Sequence, residues 1–389
     1  MAVKDEIARR HAELVALRHD IHAHPEIAFE EHRTAGVVAD RLAAWGVEVH
    51  AGLAGTGVVG RLTAGSGNRA IALRADMDAL PMQEANSFAH ASRNVNRMHA
   101  CGHDGHTTML LGAAQYLAAT KNFDGTVFFI FQPAEENEGG ARVMIDEGLF
   151  RRFPVEAVFG MHNWPGMPVG EFAVQAGPMM AAADRFRLTV QGRGAHGAMP
   201  HQGIDPIVVG AAIVSALQTI VARNVNPVDA AVVSVTQFHG GDAYNIIPDT
   251  VELRGTLRSF REDVRQQIAR SVEAIAKGIA AAHGATAEFT FVPGYPPTVN
   301  HVEETELAAR AAATVAGDGK VARKVAPSMG SEDFAFMLQQ VPGSYIWVGN
   351  GPGEGGCTLH NPHYDFNDEV IPVGASYWAT LVEQVLARG

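Results

Sequence analysis

The sequence predicts an α/β fold with a mainly parallel sheet, into which a smaller α+β domain is inserted. Short, nearly continuous apolar runs that alternate with helical patterns indicate strands covered on both faces, as in a parallel sheet. The middle of the chain instead shows half-exposed strands in the order β-α-β-β-α-β, which is typical of a ferredoxin-like domain. A run of the first kind, YIWVGN at 345–350, follows that middle segment. The first domain is therefore expected to resume after the insertion.

The elements of the larger domain follow from the spacing of its apolar residues. Residues 4–20 and 31–45 place apolar side chains three and four positions apart, which predicts two amphipathic helices. Residues 107–120 predict a third helix, for which Asp104 or Thr107 would be the N-cap. The apolar runs that predict strands lie at 69–75, 126–132, 155–161 and 345–350.

The inserted domain is predicted from a complete set of alternating elements that needs no strand from the flanking segments. Its strands are expected within DRFRLTVQG and at 230–238, 250–259 and 286–292, and its helices at 205–222 and 262–283. The larger domain would then comprise residues 1–183 and 296–389, and the inserted domain residues 184–295. The segments GPMMAAAD and PGYPPTVNH would connect the two domains.

Composition and charge exclude several classes of function. The chain of 389 residues is 47% apolar and 19% charged, as in soluble globular proteins, and its formal net charge is −12. A nucleic acid or an anionic membrane would require a basic surface, so we expect neither as a partner. The N-terminus lacks an apolar signal-peptide core, no stretch reaches the roughly 18 apolar residues of a membrane helix, and two cysteines cannot form a disulfide framework. We therefore expect a cytoplasmic protein.

Polar side chains with metal-binding chemistry follow each predicted strand of the larger domain. Because ligands bind beyond the carboxyl ends of the strands in an open α/β sheet, we expect these side chains to meet at one edge. A further cluster, RMHACGHDGHTT at 97–108, lies at the start of the third predicted helix. The strand-end residues are Asp76 and Asp78 after the first run, Glu135 and Glu136 after the second, His162 and Asn163 after the third, and His360 and His363 beyond the fourth.

A metal pair explains these clusters together, although each alone has an ordinary explanation. A pair of glutamates is usually solvated, two aspartates in a turn usually bond the local backbone, and Cys-Gly-His is not an established zinc spacing. Together, a thiolate, several imidazoles and two carboxylates fit two closely spaced metal ions, which need about five protein ligands. On an extended segment Glu135 and Glu136 would point to opposite sides, so that one could bind a metal and the other act as general base.

Nine motifs in a fixed order identify a resemblance that covers nearly the whole chain. They are HAHPEIAFEE, LRADMDALP, MHACGHDGHTTMLLGAA, FIFQPAEE, GMHNWP, GRGAHGAMPH, YNIIPDTVELRGTLRSF, MGSEDFAF and LHNPHYDFND. With these motifs the sequence resembles the dinuclear-metal aminoacylase and carboxypeptidase family. It is most similar to the amidohydrolase branch, which contains hippurate hydrolases, N-acyl-amino-acid deacylases and plant auxin-conjugate hydrolases.

The resemblance implies a catalytic domain that holds two divalent ions, with zinc, manganese, cobalt and nickel as the candidates. In this family pattern Glu135 would be the general base, and Asp78 would orient a ligand by a hydrogen bond. Asp76 stands where other branches carry a histidine ligand, and His103 would compensate for that difference. The implied metal ligands are Cys101 as the bridge, with His103, Glu136, His162 and His360.

The resemblance also implies that the inserted domain is a lid and a dimerisation domain. His196 would stabilise the developing oxyanion, in some dimeric relatives from the partner subunit. Asn245 and Arg258 would hold the substrate, Arg258 through its carboxylate, because a guanidinium binds a carboxylate with two hydrogen bonds. Arg254 lies four residues away on the same strand face and is an alternative anchor. MGSEDF would either shape the pocket or simply cap a helix.

The sequence thus predicts a metal-dependent amidohydrolase that acts on linear amides. Its small-molecule substrate would be an N-acyl amino acid, cleaved to a carboxylic acid and a free amino acid. A dipeptidase or carboxypeptidase on the same scaffold is the alternative. A binding protein without catalysis would be expected to lack the base or a ligand, yet all these positions are filled. We expect a homodimer or a higher homo-oligomer that assembles through the lid. Residues 86–97 depart from the family pattern, which leaves the acyl preference open.

Overall fold

The computed structural model of the chain describes residues 1–136, 138–352 and 358–388. The chain divides into two compact units. The first unit comprises Met1–Met179, Val299–Ala326 and Asp333–Gly389, and the second comprises Met180–Thr298 and Pro327–Glu332. Residues 180–183, 296–298 and 327–332, which were expected in the larger domain, therefore group with the second unit. Cys357, one of the two cysteines, lies outside the described residues.

The helices and strands are numbered in chain order. The α-helices are α1 Asp5–Arg9, α2 His11–Ala23, α3 His32–Ala44, α4 His103–Thr120, α5 Gly140–Asp146, α6 Leu149–Arg152, α7 Pro206–Thr219, α8 Glu262–Ala282, α9 Val302–Ala316, α10 Ala335–Leu338 and α11 Ile371–Val385. The strands are β1 Glu48–Leu53, β2 Gly57–Ala64, β3 Ala70–Asp76, β4 Gly125–Gln132, β5 Ala157–Trp164, β6 Phe172–Ala173, β7 Gly177–Met180, β8 Ala182–Gln191, β9 Ala195–His196, β10 Ala231–His239, β11 Ile246–Ile247, β12 Thr250–Ser259, β13 Thr286–Tyr295, β14 Thr298–Asn300, β15 Val321–Ala322 and β16 Gly343–Gly349.

The first unit is built on an eight-stranded sheet in the order β1-β2-β4-β3-β5-β16-β6-β15. Its four central strands, β4, β3, β5 and β16, are mutually parallel. The edge strands β1 and β2 run antiparallel to their neighbours, as does β6 against β16. The sheet is therefore mixed with a parallel centre, and the expected fold class is confirmed. The carboxyl ends of the four central strands lie at the same edge.

The central strands are buried because both faces of the sheet are covered. Leu73 on β3, Phe129 on β4, Phe159 on β5 and Ile346 on β16 are fully buried. They belong to one hydrophobic core, to which α2, α4, α9 and α11 also contribute residues. Burial of apolar surface supplies roughly 25 cal/mol per Å², so this core is the main stabilising contribution. A covered sheet holds its strand ends in fixed positions.

The helix α4 begins at His103, four residues before the predicted start, and neither Asp104 nor Thr107 caps it. Its N-cap is Gly102, which has a φ of 92°. A side chain is disfavoured there because that backbone conformation is left-handed. It would also meet Asn163 and Tyr364, which lie directly against Gly102. Because Gly102 has no side chain, its backbone can lie against these two residues, and the helix begins at the next residue, His103.

The second unit contains a four-stranded antiparallel sheet in the order β10-β12-β8-β13. In chain order the elements are β8, α7, β10, β12, α8 and β13, which is the ferredoxin-like connectivity. Residues from α7 and α8 share a core with the inward-facing residues of the sheet. A buried ion pair, Asp184 to Arg265 at 2.6 Å, joins β8 to α8.

One helical segment of the second unit is unusually apolar on its outside. Pro206–Asn224 is long and apolar enough to cross a membrane by length and composition, with a mean hydropathy of 1.7. Only 33% of it is buried, and Val208 on α7 is 56% exposed. The core helix of a soluble protein passes the same length and composition test. Packing within the second unit does not account for this exposed apolar surface of α7.

Glu31 fixes the turn that follows β4. Its side chain is fully buried, and its Oε1 accepts a hydrogen bond of 2.9 Å from the backbone N–H of Ala134. Its Oε2 accepts a second bond from the hydroxyl of Thr56 at 2.6 Å. Ala134 has a φ of 55°, which is rare for a residue with a side chain. The contact from Glu31 therefore helps to hold a strained turn just before Glu135 and Glu136.

Replacement of Gly105 by alanine should destabilise the protein, although alanine favours helices. A Cβ at Gly105 would overlap the ring of Phe366, so we expect a cost of about 1–3 kcal/mol. Thermal unfolding by calorimetry should show a lower midpoint for Gly105→Ala. In the control, Gly278→Ala in α8, the new Cβ meets open space and should stabilise by roughly 0.5–1 kcal/mol. Equal midpoints for the two variants would contradict the packing assigned to Gly105.

The stability of the wild type should fall as the pH rises from about 4.5 to about 7 because of Glu31. Burial raises the pKa of Glu31 to about 7 from its ordinary value of 4.5. A carboxyl group with a raised pKa binds its proton more tightly in the folded state, so folding loses stability between these two values. Glu31→Gln imitates the protonated form, and its melting temperature should change less between pH 5 and pH 8. The exposed control Glu303→Gln should keep the wild-type dependence, and an unchanged dependence in Glu31→Gln would refute the assignment.

Candidate metal centre

Two groups of metal-binding side chains meet at the carboxyl edge of the first unit and share Cys101. The ligand atoms of Cys101, His103 and His162 all lie within 4.8 Å of one another, and so do those of Cys101, Glu136 and His360. The Sγ of Cys101 is 3.4 Å from Nε2 of His162. Nε2 of His360 is 3.2 Å from Oε1 of Glu136. The arrangement has the form of two adjacent sites with one shared thiol.

Four different segments deliver these five residues. Cys101 lies just before α4, and His103 is the first residue of that helix. His162 is on β5, and Glu136 is in the turn after β4. His360 has a φ of 61°, and its backbone N–H donates to the carbonyl of Ala100 at 2.8 Å. That bond ties the C-terminal segment to the residue before Cys101.

Hydrogen bonds orient both buried histidines so that Nε2 faces the site. Nδ1 of His103 donates to the carbonyl of Asp78 at 2.9 Å and lies 3.2 Å from its Oδ1. Nδ1 of His162 donates to the carbonyl of Asn163 at 2.7 Å. The other oxygen of Asp78 accepts the backbone N–H of Glu136 at 2.9 Å. Asp78 thus contacts two of the five candidate ligands, and in both histidines Nε2 is the ring nitrogen that faces the site.

The donor atoms of the site are suited to a bound cation. One of them has no hydrogen-bond partner among the described residues, and two of the donor side chains have shifted pKa values. Nε2 of His103 is buried and has no hydrogen-bond partner among the described residues, an arrangement that a bound ion would relieve. Burial, with Glu136 and Glu135 nearby, raises the pKa of the Cys101 thiol well above its usual range. A divalent ion reverses this effect, because a coordinating thiol loses its proton. Burial also lowers the pKa of His162, which keeps that imidazole in its neutral, metal-binding form.

The two adjacent glutamates do not diverge as an extended segment would require. Glu135 and Glu136 lie in a turn, and carboxylate oxygens of both lie within 4.8 Å of a ring nitrogen of His103. The expected geometry was therefore wrong, because the left-handed residue Ala134 turns the chain before they are reached. Glu135 is buried, and its Oε1 accepts the backbone N–H of Asp333 at 3.3 Å. Both carboxylates therefore lie near the imidazole of His103.

Asp76 accepts hydrogen bonds with both of its oxygens, and one of them lies within 4.8 Å of ring nitrogens of His103 and His106. Its Oδ2 accepts from Nη1 of Arg74 at 2.6 Å, and its Oδ1 accepts from Nδ1 of His106 at 2.6 Å. Nε2 of His106 in turn lies 2.7 Å from Oδ1 of Asn163. Burial opposes ionisation of Asp76, but His103, Arg74 and His106 hold its pKa well below its usual range. Both oxygens of Asp76 are engaged behind the site.

Sequence reasoning did not single out Arg74, His106 or Asp333 as site residues. An arginine inside an otherwise apolar strand, as in IALRAD, was an available signal, because a buried cation requires partners. His106 is part of the GHDGH run, and Asp333 is part of MGSEDF. Most of their partners lie far along the chain, so their roles were not readable from local patterns.

The three predicted lid residues belong to the second unit. His196 is exposed on β9, and its Nδ1 accepts the backbone N–H of Ala198 at 3.1 Å. Asn245 accepts the N–H of Gly197 with its backbone carbonyl at 2.8 Å, next to His196. On β12, Nη1 of Arg258 donates to the hydroxyl of Thr256 at 2.6 Å. These contacts bring His196 and Asn245 together.

The alternative anchor Arg254 is already engaged within the second unit. Its Nη2 lies 2.6 Å from Oε1 of Glu252. For Arg258, by contrast, no ion pair with a carboxylate is found among the residues that the structure describes. Burial lowers the pKa of Arg258, so that a carboxylate partner would stabilise its charge. This difference favours Arg258 over Arg254 as the candidate anchor for a substrate carboxylate.

Comparison with known proteins gives concordant results. A model of peptidase family M20/M25/M40 matches residues 72–384. The chain is 41% identical over 381 residues to the hippurate hydrolase of Campylobacter jejuni, and the match covers 98% of each chain. It is 39% identical over 379 residues to an N-acetylcysteine deacetylase of Bacillus subtilis, with 97% of each chain covered.

A solved structure supports the same assignment. The crystal structure of a Bacillus subtilis protein described as a dinuclear metal-binding peptidase of the M20 family superposes with a TM-score of 0.86. The two sequences are 36% identical, and the superposition covers 97% of this chain and 99% of that one. The resemblance stated from the nine motifs is confirmed. The chain belongs to peptidase family M20/M25/M40.

Proposed function

We propose that the protein is a metal-dependent amidohydrolase that cleaves N-acyl amino acids to a carboxylic acid and a free amino acid. The observation that carries this proposal is the convergence of five candidate ligands with Glu135, a further buried carboxylate, beside them. The names of the similar proteins, a hippurate hydrolase and an N-acetylcysteine deacetylase, support the substrate class. Both of those names describe an amide between an acyl group and an amino acid.

Two divalent ions would be held by the five residues, with Cys101 as the shared ligand. Zinc, manganese, cobalt and nickel all suit a mixed set of thiolate, imidazole and carboxylate donors. When bound, such ions acidify water and polarise the scissile carbonyl group. Asp78 would keep His103 and Glu136 in place through the hydrogen bonds described above.

Glu135 is proposed to carry the proton. Its carboxylate would take a proton from the attacking water and deliver it to the leaving nitrogen of the amide. The position of Glu135 supports this role, because its carboxylate lies among the candidate ligands, within 4.8 Å of His103 and Glu136. Burial also limits competition from bulk water.

In the second unit, His196 would stabilise the oxyanion, while Asn245 and Arg258 would hold the substrate, Arg258 through its carboxylate. The bond from Ala198 to Nδ1 leaves the proton of a neutral His196 on Nε2, which makes Nε2 a donor. A donor aimed at a developing negative charge is what an oxyanion site requires. The first unit would thus be the catalytic domain and the second the lid.

Self-association through the lid and a cytoplasmic location are part of the proposal. The apolar outer side of α7, with Ile207 38% and Val208 56% exposed, is a surface that a second copy would cover. Strand β10 lies at an edge of its sheet, and none of the described strands pairs with its other side. The net charge of −12 supports a small-molecule substrate rather than a nucleic acid or membrane partner.

A substrate panel tests the proposed function. Protein stripped with a chelator should be inactive, and it should regain activity after addition of zinc, manganese, cobalt or nickel. The reconstituted protein should hydrolyse aromatic, aliphatic or indolic N-acyl amino acids with kcat/KM values at least about tenfold above those for free dipeptides, a difference of about 1.4 kcal/mol. A preference for dipeptides would favour the dipeptidase or carboxypeptidase alternative, and no hydrolysis of any substrate would reject the proposal.

Glu135→Gln should remove nearly all turnover while the metal content stays unchanged. The amide keeps the shape of the side chain but cannot accept the proton, so kcat should fall by roughly 10²–10⁴-fold. Elemental analysis should find the same metal content as in the wild type, since Glu135 is not one of the five ligands. Glu138→Gln, at an exposed position of the same turn, is the matched control and should keep kcat within about twofold. Near-native kcat in Glu135→Gln would show that another group is the base.

A further inference from the structure

Asp333 is the centre of a buried hydrogen-bond hub next to the turn that carries Glu135. Its Oδ1 accepts from Nη2 of Arg74 at 2.9 Å, and Nε2 of Gln132 lies 2.8 and 2.9 Å from its two oxygens. Its Oδ2 also accepts the backbone N–H of Ala141 at 2.9 Å. Asp333, Arg74 and Gln132 are fully buried. The side chain of Asp333 is therefore fastened to β3, β4 and α5 at once.

The backbone of Asp333 reaches Glu135 directly. Its N–H donates to Oε1 of Glu135 at 3.3 Å. Gln132, which contacts the carboxylate of Asp333, is the last residue of β4, and its Nε2 lies 3.2 Å from the carbonyl of Pro133. The hub thus contacts both the side chain of Glu135 and the backbone of the turn that leads to it. Neither contact involves one of the five residues proposed to hold the metal ions.

We infer that Asp333 is a positioning residue for Glu135, so that its anchored carboxylate fixes the N–H group that holds the general base. This inference rests on the proposed function, because it assumes that Glu135 carries the proton. The segment MGSEDF, which contains Asp333, would then help to position the general base and would not simply cap a helix.

The physical reason is that proton transfer requires the base to lie at a precise distance from the proton. A general base has to lie within hydrogen-bond reach of the proton that it takes, and a displacement of about 1 Å can lower the rate about 10²-fold. A glutamate side chain has several rotatable bonds, so that its carboxylate needs an external contact to stay in one position. The backbone N–H of Asp333 supplies such a contact, and it is rigid only while the carboxylate of Asp333 stays bound to Arg74 and Gln132.

Asp333→Asn tests the inference, because it keeps the shape of the side chain and places an amide opposite the donors of Arg74, Gln132 and Ala141. In the metal-loaded enzyme, kcat should fall roughly 10²-fold, with KM within about twofold of the wild type. The metal content should not change. A purely structural role for Asp333 predicts lower stability without this separation of kcat from KM.

The matched control is Asp184→Asn in the second unit. Asp184 is equally buried and accepts from Nε and Nη2 of Arg265 and from the N–H of Gly294. Asp184→Asn therefore weakens a comparable buried ion pair, which lies within the second unit. Both variants should melt at lower temperature, but kcat of Asp184→Asn should stay within about threefold of the wild type, and any effect of its charge on Arg258 should appear in KM. An equal loss of kcat in both variants would attribute the effect to general destabilisation.

A double-mutant cycle separates this inference from the proposed function. If Asp333 acts through Glu135, adding Asp333→Asn to Glu135→Gln should lower kcat by less than about threefold further. A further loss of about 10²-fold would overturn the positioning role and leave the function of Glu135 intact. Near-native kcat in Glu135→Gln alone would instead reject the base. If Asp333→Asn does not accumulate as folded protein, Gln132→Met removes one anchor of Asp333 and should lower kcat about tenfold; an unchanged kcat there overturns the inference.

Discussion

The buried guanidinium of Arg74 is the interaction on which the rest of the site depends. Its nitrogens reach Oε1 of Gln132 at 2.8 Å, Asp76 at 2.6 Å and Asp333 at 2.9 Å. A charge without water is costly by several kcal/mol, and it is tolerated only when its partners neutralise it and satisfy its donors. The planar fork of an arginine serves several acceptors in fixed directions, which an ammonium group cannot do. Arg74 therefore sets the relative positions of two carboxylates and the end of β4.

The consequences of this contact reach both halves of the candidate centre. On one side, Arg74 and His106 engage both oxygens of Asp76, beside the ring nitrogens of His103. On the other side, Asp333 connects Arg74 to Glu135 through its own backbone. Arg74 thus binds the carboxylate of Asp76 directly, and through Asp333 it is linked to Glu135, which is proposed to carry the proton.

A second buried ion network supports the start of α4 from behind. Arg18 on α2 lies 3.4 Å from Oδ2 of Asp104, and Nδ1 of His22 lies 2.8 Å from the same oxygen. Burial lowers the pKa of His22, but Asp104 and Glu84 more than compensate and raise it to about 9. Asp104 is also in the first turn of the helix, where a negative charge is favourable. The residue after His103 is thereby fastened to α2, which limits movement of the histidine.

The sequence by itself determined the secondary structure of most elements, the parallel centre of the sheet and the identity of the residues at its carboxyl edge. Apolar periodicity and the rule for ligand binding at strand ends are local or general, so one sequence is sufficient for them. Only the tertiary structure decided that α4 begins at His103, that Glu135 and Glu136 converge, and that Asp333 reaches Arg74 across 259 positions. These features depend on a left-handed turn at Ala134 and on contacts between distant segments. No local pattern encodes them, because their free energy comes from the packing of the whole unit.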